Sequence, residues 1–184
     1  MKRCFPLKKE HISINRESDT FLSNYKYATE IPVYPHPGSF GFKRKNHIHE
    51  GIDLYAENGD EVFSIEDGII TNIIAFTGEI AGSPWWNDTY SVMIKHKNFS
   101  INYGEIIPLD SLKVGNKVKS GDLIGYVKTV LKIDKGRPMS MLHLEMYEKE
   151  TIEPIKEWTL NRDKPKELLN PTDYIKSIVI KSKK

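Results

Sequence analysis

The 184-residue chain has one cysteine, Cys4, so an intramolecular disulfide is impossible, and the redox compartment stays undecided. Its net charge is only +2, with 28% charged residues, which leaves no broad basic field of the kind nucleic-acid binding requires. No apolar stretch is long enough to serve as a signal peptide or to span a membrane, so neither a leader nor a span is expected. No segment of the central chain carries a convincing helical apolar period. The Lys-rich end, residues 176–184, reads as a solvated basic tail.

What the chain does contain is a succession of short β-branched runs. Glu61-Val62-Phe63-Ser64-Ile65, Gly68 to Ile74, Ser91 to His96, Leu123 to Val127 and Met141 to Tyr147 are each bounded by Gly, Asp or Asn, as strands are. Repeated Gly-x-x-Val spacing favours tight turns over helices. Residues 1–30 are polar and mixed, an N-terminal extension expected to pack on a single domain over 31–175. With 39% hydrophobic residues, a chain of this length can bury one substantial core. A short terminal helix is expected within 164–180, begun near Pro171-Thr172-Asp173.

Two segments carry chemistry: His49-Glu50-Gly51-Ile52-Asp53, and far downstream Met141-Leu142-His143-Leu144-Glu145. Two neutral imidazoles and a carboxylate suit a zinc ion that keeps positions open for water or substrate. If the first segment is a strand, His49 and Asp53 lie on one face. Gly51 between them would let the metal sit close to the backbone, and His143 would close the site from a neighbouring strand. A bare His-x-x-x-Asp occurs by chance in many proteins, so its weight comes from its surroundings.

Those surroundings are Phe40-Gly41 before His49, then Gly59-Asp60-Glu61-Val62 and Asp67-Gly68-Ile69-Ile70. Ile94-Lys95-His96, Tyr103-Gly104-Glu105, Val114-Gly115 through Gly125, and finally Asn170-Pro171 follow in order. Over roughly residues 33–175 the sequence resembles the lysostaphin/LytM-type zinc endopeptidases, which cut peptide cross-links of bacterial peptidoglycan. The resemblance implies an antiparallel β-sandwich-like core with a metal groove across one sheet. It also implies Zn²⁺ on His49, Asp53 and His143, a peptidoglycan peptide as substrate, and action at the bacterial cell wall or periplasm. Without a signal peptide, either a leader has been removed or export follows another route.

Two positions depart from the family pattern. Where the family has assisting histidines, this sequence has Met141 and Glu105. Met141 is expected to share the metal-facing side of its strand with His143, yet a thioether cannot shuttle protons. Glu105 is either a solvent-exposed carboxylate at a loop end or the general base for the attacking water. Tyr103 either donates to the oxyanion or belongs to the sheet face. Glu145 either orients His143 by a hydrogen bond or is solvated. Trp85 and Trp86, in a long insertion over 78–90, form a substrate platform or pack back on the sheet. His36, His47 and His96 carry no motif of their own.

Three functions are therefore compatible with the sequence. The first is a zinc endopeptidase with altered acid/base residues. The second is a catalytically impaired, zinc-holding module that binds wall peptide or regulates a hydrolase. A mononuclear iron oxygenase would also accept two histidines and a carboxylate, but the glycine and strand pattern opposes it.

Overall fold

The structure, a computed structural model, describes residues 2–8, 12–15, 29–134, 136 and 138–182. In chain order the strands are β1 (Ile12–Asn15), β2 (Thr29–Pro32), β3 (His47–Ile48), β4 (Ile52–Tyr55), β5 (Glu61–Phe63) and β6 (Gly68–Thr77). There follow β7 (Thr89–Lys95), β8 (Phe99–Pro108), β9 (Lys117–Val118), β10 (Leu123–Val127), β11 (Met141–Glu148), β12 (Trp158–Thr159) and β13 (Leu168–Leu169). Helix α1 (Thr172–Ser182) ends the described chain. The mainly β, antiparallel architecture expected from the sequence is present.

Nine strands form one antiparallel sheet with the path β13-β11-β8-β7-β6-β9. β4 adds to the free edge of β11, and β10 pairs with both β5 and the far end of β8. The sheet is not closed into a barrel. Alternation along the central strands explains its two faces. Leu142 and Leu144 of β11, Ile101 and Tyr103 of β8, and Ile52 and Leu54 of β4 are all fully buried. They pack with Ile65, Ile70, Val92, Ile94, Ile124 and Val127 into one apolar core, which Leu7, Ile31, Ile175 and Ile178 cover. The opposite face of the same strands carries Asp53, His143, Glu145 and Asn102.

The termini depart from expectation in part. Most of the N-terminal extension, residues 9–11 and 16–28, lies outside the described residues. Leu7 is buried in the core, and the Cys4 N–H donates to Ile65 O at 2.9 Å. The basic stretch from residue 176 is not a free tail over its described length. Helix α1 runs through to Ser182, and Ile178 enters the core. Two apolar residues at helical spacing, Ile175 and Ile178, override the lysines around them.

Tyr103 illustrates how the core accepts polar atoms. Its hydroxyl accepts the Ile65 N–H at 3.0 Å and donates to His96 Nε2 at 3.3 Å. His96 in turn donates Nδ1–H to Asp67 O at 3.1 Å. Tyr103→Phe would orphan the buried Ile65 N–H, which costs about 1–3 kcal/mol. Urea unfolding of that variant is expected to show a loss of this size, with metal binding unchanged.

Candidate metal centre

Sheet register brings the ligand set together. His143 of β11 lies directly between Asp53 of β4 and Gly104 of β8. Residues opposite one another on neighbouring strands share a face, so the carboxylate and the imidazole meet. Gly104 leaves that row open. A Cβ there would stand 2.6 Å from Phe76 Cε1, and the Phe76 ring instead lies 5.5 Å from the His143 ring.

His49 arrives differently from the sequence expectation. It precedes β4 by three residues and lies outside any strand, so strand parity does not put it beside Asp53. A bend at Gly51 does so. A Cβ on Gly51 would meet Leu144 O at 2.3 Å and His143 Cε1 at 3.0 Å. The space beside this glycine is therefore taken by β11 backbone and the His143 ring, which corrects the reading that it leaves room for a metal.

The three donor atoms form a tight triangle. His49 Nε2 is 3.1 Å and His143 Nδ1 is 2.8 Å from Asp53 Oδ1, and the two nitrogens are 3.2 Å apart. A tetrahedral zinc with bonds of 2.0–2.1 Å needs donor–donor edges of about 3.3 Å. Among the described residues, His49, Asp53 and His143 are the set of this kind whose ligand atoms converge.

Each ligand is aimed from behind. His49 Nδ1–H donates to Ser39 O at 2.9 Å, which leaves Nε2 as the lone-pair nitrogen. His143 Nε2–H donates to Glu145 Oε1 at 3.2 Å, which turns the Nδ1 lone pair inward. Arg44 Nη2 donates to Asp53 Oδ2 at 2.6 Å and leaves Oδ1 to the triangle. Glu145 is itself held by Asn102 Nδ2 and the Tyr147 hydroxyl, each at 2.9 Å from Oε2. Such partners fix the tautomer and orientation of a ligand.

Electrostatics follow the same geometry. Burial, opposed by Asp53, lowers His49 to about 4, so its imidazole is neutral. Burial alone would raise Asp53, but the neighbouring His49, the Arg44 guanidinium and the imidazole hydrogen bonds hold it well below the usual carboxylate value. Burial would lower His143, yet its bonds to Asp53 and Glu145 carry it above the ordinary histidine value.

A groove of about 410 Å³ opens onto this triangle. Arg44, His49, Glu105, His143 and Glu145 line it together with Phe76, Trp85 and Trp86. Glu105 reaches the groove through a β-bulge. Between the pairs Tyr90↔Ile106 and Val92↔Tyr103, β8 holds Gly104 and Glu105 against the single Ser91 of β7. Glu105 has φ 64°, the one non-glycine residue with positive φ among those described. The extra residue breaks the parity between Tyr103 and Glu105. Tyr103 therefore stays in the core and is not brought to the site, which removes it as an oxyanion donor. Glu105 is not a solvent-exposed loop end. Its Oε2 is buried without a hydrogen-bond partner, and burial together with the Asp53 charge pushes its pKa up to about 8.

The other candidates divide. Trp85 is 65% exposed and Trp86 half-buried, their rings 6.2 Å apart edge to face, and both line the groove. Their loop is pinned by Gly78–Ser83 hydrogen bonds, by Asn87 N to Val130 O, and by Lys132 Nζ to Pro84 O. Met141 packs on Tyr55 and does not line the groove. Sequence reasoning missed Arg44, Asn102, Tyr147 and Glu50. The Glu50 carboxylate accepts Trp158 N–H at 2.7 Å and so fixes β12 and the groove wall at residues 155–157.

The sequence profile of Peptidase family M23 matches residues 47–154, which spans every donor of the triangle. The chain belongs to peptidase family M23. Its fold is similar to that of cbpa from L. salivarius REN, with 22% identity and a TM-score of 0.52 over 78% of this chain and 87% of that one. It is also similar to the catalytic domain of the antimicrobial peptidase lysostaphin from Staphylococcus simulans. There the identity is 17% and the TM-score 0.50, over 76% of this chain and 89% of that one. No curated protein matches the chain. At these identities the structural likeness concerns the fold, and the M23 assignment rests on the sequence match.

The orientation of His143 by Glu145 generates a test of the centre. Glu145→Gln keeps the shape but removes the charge that accepts Nε2–H. Zinc affinity, measured by competition with a chromogenic chelator, is expected to fall roughly 10- to 100-fold.

Proposed function

We propose that this M23 chain is a zinc-dependent endopeptidase acting on peptide stems or cross-links of peptidoglycan, with Glu105 as its general base. The observation that carries this reading is the triangle of inward-turned donor atoms beside Glu105, whose buried Oε2 has no hydrogen-bond partner. An inert buried site would gain nothing from leaving a carboxylate oxygen unsatisfied, since such a group costs about 1–3 kcal/mol or more.

His49, Asp53 and His143 would hold the zinc, whose chemistry would be to polarise the scissile carbonyl and to bring the pKa of water to about 7. Glu105 takes a proton from the attacking water and hands it to the amine nitrogen as the C–N bond breaks. Its raised proton affinity suits a group that must accept and release a proton near neutral pH. Glu145 and Arg44 hold the ligands still during this exchange. The hydrogen-bonded loop bearing Trp85 and Trp86 offers an apolar wall to the polymer beside the reacting bond. The LytM-type sequence pattern supports peptidoglycan as that polymer, and action at the cell wall or periplasm follows from it.

One observation favours a second reading, a module that holds zinc and binds wall peptide without cutting it. Met141, at the other assisting-histidine position, packs on Tyr55 and brings no acid or base to the groove. The two readings separate on purified peptidoglycan incubated with the zinc-loaded protein. Soluble fragments are expected from the unmodified chain, none from His143→Ala, and a drop of at least about 10²-fold from Glu105→Gln with zinc still bound. No fragments from a fully zinc-loaded unmodified chain would favour the binding module.

A further inference from the structure

Arg44 makes one contact with a ligand, yet its head group has donors left over. The side chain leaves a tight turn in which Arg44 N–H donates to His47 O at 2.9 Å and Lys43 bridges to Ile48. Nη2 is committed to Asp53 Oδ2 at 2.6 Å and lies 3.5 Å from Pro37 O. A guanidinium carries five N–H donors in a rigid planar fork, so fixing one nitrogen fixes the plane of the rest. The Arg44 side chain is 32% exposed against 5% for Asp53, and the open part lines the groove beside His49, Glu105 and His143. The group is thus anchored at one end and presented to the groove at the other.

Peptide hydrolysis builds negative charge on the carbonyl oxygen, and that charge needs donors in place beforehand. Of the other donors in the groove's lining, Asn46, Thr77, Trp85 and Trp86 make no hydrogen bond to the triangle. Tyr103 is sealed in the core, Met141 is turned onto Tyr55, and Glu105 is taken up as the base. His47 lies 4.0 Å from Glu157 at the wall, and Lys156 is an exposed wall residue. Among the described cations lining the groove, Arg44 is the one that touches a member of the triangle.

We propose that Arg44 is the oxyanion donor of this site, its uncommitted N–H groups directed at the oxygen that becomes negative while Nη2 stays on Asp53. No bond to Arg44 forms or breaks. The guanidinium remains charged throughout and its hydrogen bonds to that oxygen strengthen as charge develops. This assignment rests on the hydrolase reading, and its test includes a readout that does not depend on turnover.

The full chain, loaded with excess zinc, is compared with Arg44→Met and Arg44→Lys. The probes are a soluble wall peptide for kcat and KM, and a phosphinate analogue of that peptide, a stable tetrahedral anion, for binding by calorimetry. Both variants are expected to lose about 10²–10³-fold in kcat with KM changed only a few-fold. Phosphinate affinity is expected to fall by more than tenfold in both, because an ammonium cannot reproduce a fixed fork. An undiminished kcat in the zinc-saturated variants, with phosphinate affinity unchanged, would reduce Arg44 to a clamp on Asp53 and overturn the assignment. Complete rescue by lysine would overturn it too, since charge alone would then suffice. If the unmodified chain cuts no peptide, the hydrolase reading fails separately. The phosphinate comparison then decides: tighter binding by the unmodified chain than by Arg44→Met supports a directed anion donor, and equal binding refutes it.

Discussion

The alignment of β4 against β11 governs everything at the centre. Asp53 faces His143 because Ile52 faces Leu144 and Leu54 faces Leu142, and those four apolar residues are fully buried on the other side of the sheet. A slip of β4 by one residue would turn Asp53 into the core and Ile52 and Leu54 into the groove. Hydrophobic burial thus sets the spacing of the donor atoms. Gly51 and Gly104 complete the alignment by letting Leu144 backbone and the Phe76 ring approach where a methyl group would collide.

On that frame sits a polar layer in which charge is balanced at short range. Arg44 offsets Asp53, and Asn102, Tyr147 and His143 satisfy Glu145. In a low-dielectric setting such a network is rigid when complete and costly where broken. Asn102 Oδ1 and Glu105 Oε2 are left unmatched, and of the two Glu105 is the one that lines the groove. Its carboxylate stands in the groove with one oxygen unmatched, the expected condition of a group whose partner arrives with the substrate.

The sequence disclosed the strands and the ligand trio because each depends on a short pattern. Apolar alternation marks the strands, and His-x-x-x-Asp with a later His-x-Glu marks the donors. It failed where geometry departs from alternation. The bulge at Gly104-Glu105 has no glycine at its positive-φ position, so nothing in the sequence warned that Tyr103 and Glu105 would part company. His49 was assigned to a strand that begins three residues later. Arg44 carries no motif, because its role depends on a turn that folds it back over Asp53. The terminal helix was legible at Pro171-Thr172-Asp173, but the lysines from residue 176 concealed the apolar pair that carries it through the stretch read as a tail. For the tryptophans, composition alone could not choose between exposure and burial, and the structure divides them, Trp85 outside and Trp86 half-covered.

The core and the donor triangle occupy opposite faces of the same strands, and this separates two kinds of stability. The aliphatic residues need no cation to pack, so the core is expected to fold without one. A metal then acts as a ligand of the native state rather than as a folding nucleus. Its contribution is set by mass action, rising about 1.4 kcal/mol for every tenfold excess of free metal over the dissociation constant. Chelation would lower the melting temperature by an amount that depends on metal concentration, while leaving a cooperative transition in place.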